Sequence, residues 1–468
     1  MQEAIAHEDV TCCSCLPNKF RYGVLLISLI CLTSISSNTF ATKISLYCMS
    51  PPANVVINHN IPTYNYSQNE KALFTWATSI GTLVATFPFS WLYGRFSARF
   101  VFSGAGITSA VSTALIPLIA SLGVWPFTAM CLLQVSSAAF YYQLTSSIRL
   151  RGVAYAAGFV LIGVLTSQWA SLREHAIFIS VLTCYMQISL LITNTSSAFL
   201  CTSSLGWPSV FYLHAAAGIV VFGLWLIFYN DSPDLHRCVS HSEMEMIDYN
   251  KADAHMEIRG NVPYKRILQN KTVWSSWFCA FGYFFTAFFL HMYLPIYIHF
   301  VLGLTVRDAG IYAMIGTFVY IALKLVFAVL SDKITSLTET TKVIIFNTIV
   351  MAGPAVLYLF LAFIPLMPTL SIIVIILINA FFAANCGGFY KCATLVSRQY
   401  SHFVFAVIQF IKCLCLFLVP TFFDLLVDAP ENREDWRSMF FPLAAISIVS
   451  ALVFWRYADT QPASFTES

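Results

Sequence analysis

The sequence predicts an all-α polytopic membrane protein of twelve spanning helices, arranged as two six-helix halves. Three observations carry that expectation. Hydrophobic residues make up 58% and charged residues only 10% of the 468 residues, against roughly 25% charged in soluble domains. Mean hydropathy is +0.73. Apolar runs of about 20 residues, the length a helix needs to cross the hydrocarbon layer, recur along the whole chain and are interrupted by one long polar stretch. This composition excludes a soluble enzyme and a secreted scaffold, and 25 Lys+Arg against 22 Asp+Glu, a net charge of only +3, give no argument for a nucleic-acid partner.

The first run extends from Tyr22 to Met49, too long for a signal-peptide core. Five more cover 72–94, 100–122, 150–170, 175–200 and 207–229, which completes a first half at 21–229 after a tail at 1–20. A central loop at 230–271 follows. The second half, 272–458, holds runs at 273–302, 308–331, 342–364, 369–389, 402–423 and 438–457, before a tail at 459–468. Residues 124–148 are uncharged and span-sized, yet a thirteenth crossing would invert everything after them. They are read as re-entrant, or as an extension of the hairpin between the third and fourth helices.

Basic residues orient the map. Arg237, Lys251, Arg259, Lys265, Arg266 and Lys271 lie in the central loop beside seven acidic residues. Lys19, Arg21, Arg95, Arg99, Lys333, Lys342, Lys391 and Arg398 fall on the same side. The positive-inside rule places that side in the cytoplasm, with both termini. The loop from Ser50 to Glu70 has no Lys or Arg before the boundary of the second run and carries the sequon Asn65-Tyr66-Ser67, a glycan acceptor. Sequon matches at Asn194, Asn230 and Asn270 are chance. Of 14 cysteines, Cys31, Cys48, Cys184, Cys279, Cys386, Cys413 and Cys415 sit in apolar stretches and read as small hydrophobes. Cys12, Cys13 and Cys15 are either palmitoylation sites or unmodified thiols.

Two halves joined by a basic loop outline the major facilitator superfamily, in which substrate binds at the midplane between halves. Ser90-Trp91-Leu92-Tyr93-Gly94-Arg95-Phe96-Ser97-Ala98-Arg99 resembles its Gly-x-Leu-Ala-Asp-Arg-x-Gly-Arg gate with the acid missing. Its counterpart, ending Ser331-Asp332-Lys333, keeps the acid. The resemblance implies that Gly94, Arg95, Arg99, Asp332 and Lys333 are gating parts. A second resemblance covers residues 21–465 and is to solute carrier family 17, the sodium-phosphate cotransporter, sialin and vesicular glutamate transporter group. It rests on Ser167-Gln168-Trp169-Ala170 with Glu174, Gly206-Trp207-Pro208-Ser209-Val210-Phe211-Tyr212, and Val262-Pro263-Tyr264-Lys265-Arg266-Ile267-Leu268. Leu294-Pro295-x-Tyr297, Pro420, Trp436 and Gln461-Pro462 follow in order. The family's charges are largely replaced: Lys43 stands for its first-helix Arg, Tyr155 for an acid, Tyr283 for its seventh-helix Arg and Thr75 for a His.

Ionisable residues at membrane depth mark pathways. Here they are Lys43, Lys324, Lys412, His214 and His291, with no Asp or Glu near the centre of any run. Lys43, His291, Tyr283 and Lys412 are the candidate substrate-binding residues. Lys324 faces the cavity, snorkels or pairs with Asp332. His214 bonds a neighbouring helix. Tyr293 and Tyr297 offer hydroxyls or pack. Adjacent glycines in Asn385-Cys386-Gly387-Gly388-Phe389-Tyr390-Lys391 permit close packing or a local break. Cationic residues without a core carboxylate imply a multi-pass secondary active or facilitative transporter of a small organic or inorganic anion; the expected location is the plasma membrane or an endolysosomal or vesicular membrane. Co-transported H+ or Na+ is a further expected partner. The alternative is a sensor or scaffold that kept the fold. No cofactor, metal or nucleic-acid partner and no enzymatic constellation is expected.

Overall fold

A computed structural model of the chain describes residues 19–49, 64, 66–136, 154–171, 174–234, 236–248, 262–364, 367–427, 429 and 431–466. Every regular element among them is a helix. In the first half these are α1 (Phe20–Met49), α2 (Gln68–Arg95), α3 (Ala98–Ile119), α4 (Val124–Ser136), α5 (Ala154–Trp169), α6 (His175–Thr183), α7 (Tyr185–Thr202) and α8 (Gly206–Phe228). The central loop forms α9 (His241–Asp248) and α10 (Tyr264–Gln269). The second half comprises α11 (Lys271–Ile296), α12 (Val306–Lys333), α13 (Glu339–Phe363), α14 (Pro368–Phe382), α15 (Phe389–Ser397), α16 (Ser401–Leu426) and α17 (Arg433–Tyr457).

A hydrocarbon layer leaves backbone groups no solvent partner, so the chain crosses as helices and places its polar caps at their ends. Ser67 and Glu70 form a reciprocal capping box at the start of α2. Asn270, Thr305, Thr338 and Asn432 cap α11, α12, α13 and α17 through their side chains. Nine apolar stretches among the described residues are long enough to cross, and one of them, Pro368–Leu426, runs 59 residues. That stretch turns back at Arg398, whose φ of 42° is the left-handed region, and so supplies two crossings. α2 and the pair α4 with α5 bring the total to twelve spans.

The fourth span corrects the sequence reading. α4 has 13 residues and α5 has 16, or about 20 and 24 Å at 1.5 Å per residue, each short of the roughly 30 Å layer. Phe127 and Cys131 of α4 are buried with Leu46, Met49, Phe74, Trp207 and Phe211 at the ends of α1, α2 and α8, and the Phe74 and Phe127 rings lie 4.4 Å apart. α5 continues to Trp169 at the other face. Residues 124–136 therefore pack inside the first half at the face opposite the basic loops and are counted with α5 as the fourth crossing. The remaining positions of the 124–148 segment lie outside the described residues, as do Cys12, Cys13, Cys15 and Asn65.

The ends that carry Lys19, Arg95, Lys265, Lys333 and Lys391 define a basic face. There, the buried Glu243 of α9 accepts the backbone N–H groups of Phe20 at 3.1 Å and Arg21 at 2.9 Å, fastening the central loop to the start of α1. At the opposite face Cys48 and Cys201 form a disulfide, Cα–Cα 6.1 Å, which corrects the reading of Cys48 as a small hydrophobe. A separation of 153 residues within apolar helices gave no spacing signal.

Candidate functional site

A cavity of about 560 Å³ lies between the halves, lined from the first by α7 and from the second by α11, α12 and Asn385. It extends from Lys324 at mid-depth to Gly310 and Asn194 near the opposite face. No Asp or Glu is among the lining residues.

Lys324 supplies the charge. Its side chain is buried, with Nζ donating to the Tyr320 hydroxyl at 3.0 Å and lying 5.0 Å from that ring's centroid. No described carboxylate is within ion-pair distance, and Asp332 pairs with Lys391 instead, at 2.8 Å. The Tyr320 hydroxyl also accepts from Asn385 Nδ2 at 3.2 Å and stands 3.1 Å from the Tyr283 hydroxyl. A hydroxyl has two acceptor sites and one proton. With both acceptor sites occupied by Lys324 and Asn385, the Tyr320 proton goes to Tyr283. Tyr283 then directs its own O–H elsewhere, and the group presents donors to the cavity.

Asn385 reaches this cluster because the tenth span breaks. Residues Ala383–Gly387 form a 3-10 turn between α14 and α15. A Cβ on Gly387 would lie 2.8 Å from Phe346 Cγ and 2.9 Å from Ser331 Oγ. The glycine pair thus serves close packing and the break together.

The other sequence candidates divide. Tyr283 and His291 line the cavity; His291 donates Nδ1–H to the Ala287 carbonyl at 2.6 Å, which leaves Nε2 as the free acceptor. Lys43 lies in α1, with its side chain outside the described set, as are the side chains of Tyr155 and Thr75. Lys412 is buried in α16, 3.3 Å from the Tyr185 hydroxyl, and does not line the cavity. His214 bonds Ser196 on α7 at 3.0 Å. Tyr293 stacks on Phe423 at 3.8 Å and packs.

Contacts between the halves close the basic face. Asp332, at the end of α12, accepts the N–H groups of Ala176 at 3.3 Å and Ile177 at 2.8 Å, an acid on the positive end of α6. Lys391 joins Asp332 to Glu339. Ser401 donates to the Gly163 carbonyl at 2.9 Å, and Ser180 to the Lys324 carbonyl at 3.2 Å. Gly94 packs on the His402 ring, 3.3 Å from where its Cβ would lie. Arg99 donates Nε–H to the Leu226 carbonyl at 2.9 Å, capping the end of α8. Arg95 lies 5.6 Å over Trp91, and Lys333 is exposed. Within the first half, Arg21 forks onto Glu174 at 2.9 and 3.0 Å, and Tyr22 donates to the same carboxylate at 2.5 Å. Burial alone would raise Glu174, but these bonds and the Arg21 charge hold it below the usual carboxylate range.

The Major Facilitator Superfamily profile matches residues 26–420. Human "Sodium-dependent phosphate transport protein 1" is 24% identical over 94% of this chain and 93% of its own. Mouse "Probable small intestine urate exporter" is 24% identical over 84% and 77%, and human "Sialin" 21% over 92% and 85%. The phosphate transport protein and sialin bear names of the group that the sequence resemblance anticipates. Among solved structures, the proton:xylose symporter XylE has a TM-score of 0.68 at 14% identity, covering 96% of this chain and 98% of its own. A bacterial homologue of the iron transporter ferroportin scores 0.66 at 11%, covering 94% and 99%. With a profile match across most of its length and that fold throughout, the chain belongs to the Major Facilitator Superfamily.

Proposed function

We propose that the protein carries a small anion by alternating access, binding it in the cavity at Lys324. The observation that supports this most is chemical: a buried ammonium with hydrogen-bond donors around it and no lining carboxylate. Such a site rejects cations by charge and rewards an anion that replaces the lost water. Tyr283 adds an O–H donor and Lys412 a positive charge behind the cavity wall; a contribution of Lys43 of α1 is proposed from the sequence alone. The relatives named for phosphate transport, urate export and sialin support the same substrate class, and nothing favours the sensor reading over it.

The basic face is cytoplasmic in this reading, and Asn65 bears a glycan on the other side. The Cys48–Cys201 bond lies on that other side, in keeping with an oxidising compartment. Asp332, Lys333, Gly94, Arg95 and Arg99 then belong to the cytoplasmic gate, shut here. H+ is the proposed coupling ion, carried by His291, whose Nε2 is the ring atom left to take a proton once Nδ1–H is given to the Ala287 carbonyl. The protein in liposomes should take up at least one of labelled phosphate, urate or sialic acid saturably. Absence of saturable uptake across a wider anion panel would return the sensor reading. Indifference of uptake to an imposed pH gradient would exclude His291 as a proton carrier.

A further inference from the structure

Lys412 is a second buried ammonium, 1% exposed, on α16. Its Nζ lies 3.3 Å from the Tyr185 hydroxyl, 5.0 Å from the Phe159 ring centroid and 5.8 Å from that of Tyr185. Phe159 and Tyr185 line the anion cavity; Lys412 does not. The two rings therefore form part of the cavity wall, with the ammonium behind it. Counted at 1.5 Å per residue from Ser401 and from Lys333, Lys412 and Lys324 sit about 17 and 14 Å along their helices. Both are at mid-depth.

The wall is made by two different halves. Phe159 is on α5 and Tyr185 on α7, while Lys412 is on α16, and Ser401 of α16 bonds Gly163 of α5 farther toward the basic face. An opening of that face that separates α16 from α5 also draws Lys412 away from the Phe159 ring. The contacts of the ammonium with the Phe159 and Tyr185 rings and the Tyr185 hydroxyl are then loosened, and an anion that enters the vestibule takes their place.

We propose that Lys412 is a second anion station, shut in the state seen here and uncovered toward the basic face when the halves rock. An anion bound from the opposite face at Lys324 passes to Lys412 for exit. One desolvated ammonium that binds tightly also releases slowly; a second site of like charge at the same depth permits entry and departure together. The inference rests on the alternating-access reading above and adds sidedness to it.

The test uses cysteine substitutions in the full chain and two thiol reagents of opposite charge, 2-sulfonatoethyl and 2-(trimethylammonium)ethyl methanethiosulfonate, with rates taken relative to the parent chain. Lys412→Cys should react with the sulfonate at least tenfold faster in inside-out than in right-side-out vesicles. Lys324→Cys should react in right-side-out vesicles. Equal rates at Lys412→Cys from both faces, or none from the basic face, would overturn the proposal. Failure of Lys324→Cys alone would instead strike the cavity reading. A charge readout keeps a merely structural role apart: with Tyr185→Cys, the sulfonate-to-ammonium rate ratio from the basic face should fall about tenfold on adding Lys412→Met and persist with Lys412→Arg. A ratio indifferent to Lys412→Met would also overturn it.

Discussion

Tyr320 is the residue on which the site is built, because its single oxygen serves Lys324, Asn385 and Tyr283 at once. Tyr320→Phe leaves a buried ammonium and an amide without their acceptor, so it should lower stability by about 1–3 kcal/mol, read as a fall in melting temperature in detergent. Tyr283→Phe removes the donor that faces the cavity and leaves one proton, that of the Tyr320 hydroxyl, without its acceptor. It should lower the melting temperature less than Tyr320→Phe, which strands two donors, and raise the apparent KM for the anion about tenfold. If the two variants behaved alike in both assays, the assigned direction of the hydrogen-bond chain would be wrong. Tyr283 was legible in the sequence as a candidate, whereas Lys324 stands out there only as an ionisable group inside an apolar run and ranks below Lys43, His291 and Lys412. Asn385 was not legible, since only the 3-10 break at Ala383–Gly387 turns it to the cavity. Cys48 was misread because its partner is distant in sequence and both lie in apolar helices.

At the scale of elements, the basic face is held by helix ends and one close approach. A Cβ on Gly163 would stand 3.0 Å from the Ser401 carbonyl oxygen, across the seam between α5 and α16. Gly163→Val should therefore push the halves apart there and favour the state open to the basic face. The check is a cysteine at Ser180, which should become reactive from that face; unchanged protection would contradict the role given to the seam. Glu174 ties α1 to the start of α6, and its pKa is depressed in the folded protein. A depressed carboxylate contributes stability that is complete above its unfolded value, near 4.3, and is lost as pH falls through the lower folded value. Glu174→Gln should thus cost about 2 kcal/mol near neutral pH, and the difference from wild type should vanish only in strongly acidic buffer. A difference that disappeared already near pH 6 would refute this assignment. Most span boundaries followed from apolar length alone. The fourth span did not, because α4 and α5 are each too short to cross and the uncharged run that begins at residue 124 continues to 148 without marking where α4 ends.

For the whole molecule, the two-half architecture followed from counting crossings and basic loops, while the state it occupies did not. Closure depends on pairs such as Asp332 with Ile177 that no spacing rule brings together. In this state the cavity reaches toward the face opposite the basic loops, with Lys324 at its inner end. The central claim is that this one ammonium holds the transported anion. Saturable uptake of a labelled anion into liposomes, compared among wild type, Lys324→Arg and Lys324→Met at matched protein incorporation, tests it most directly. The account predicts that Lys324→Arg retains uptake and that Lys324→Met, similar in length but uncharged, raises the apparent KM at least tenfold or abolishes uptake. Uptake by Lys324→Met with wild-type KM and rate would contradict it.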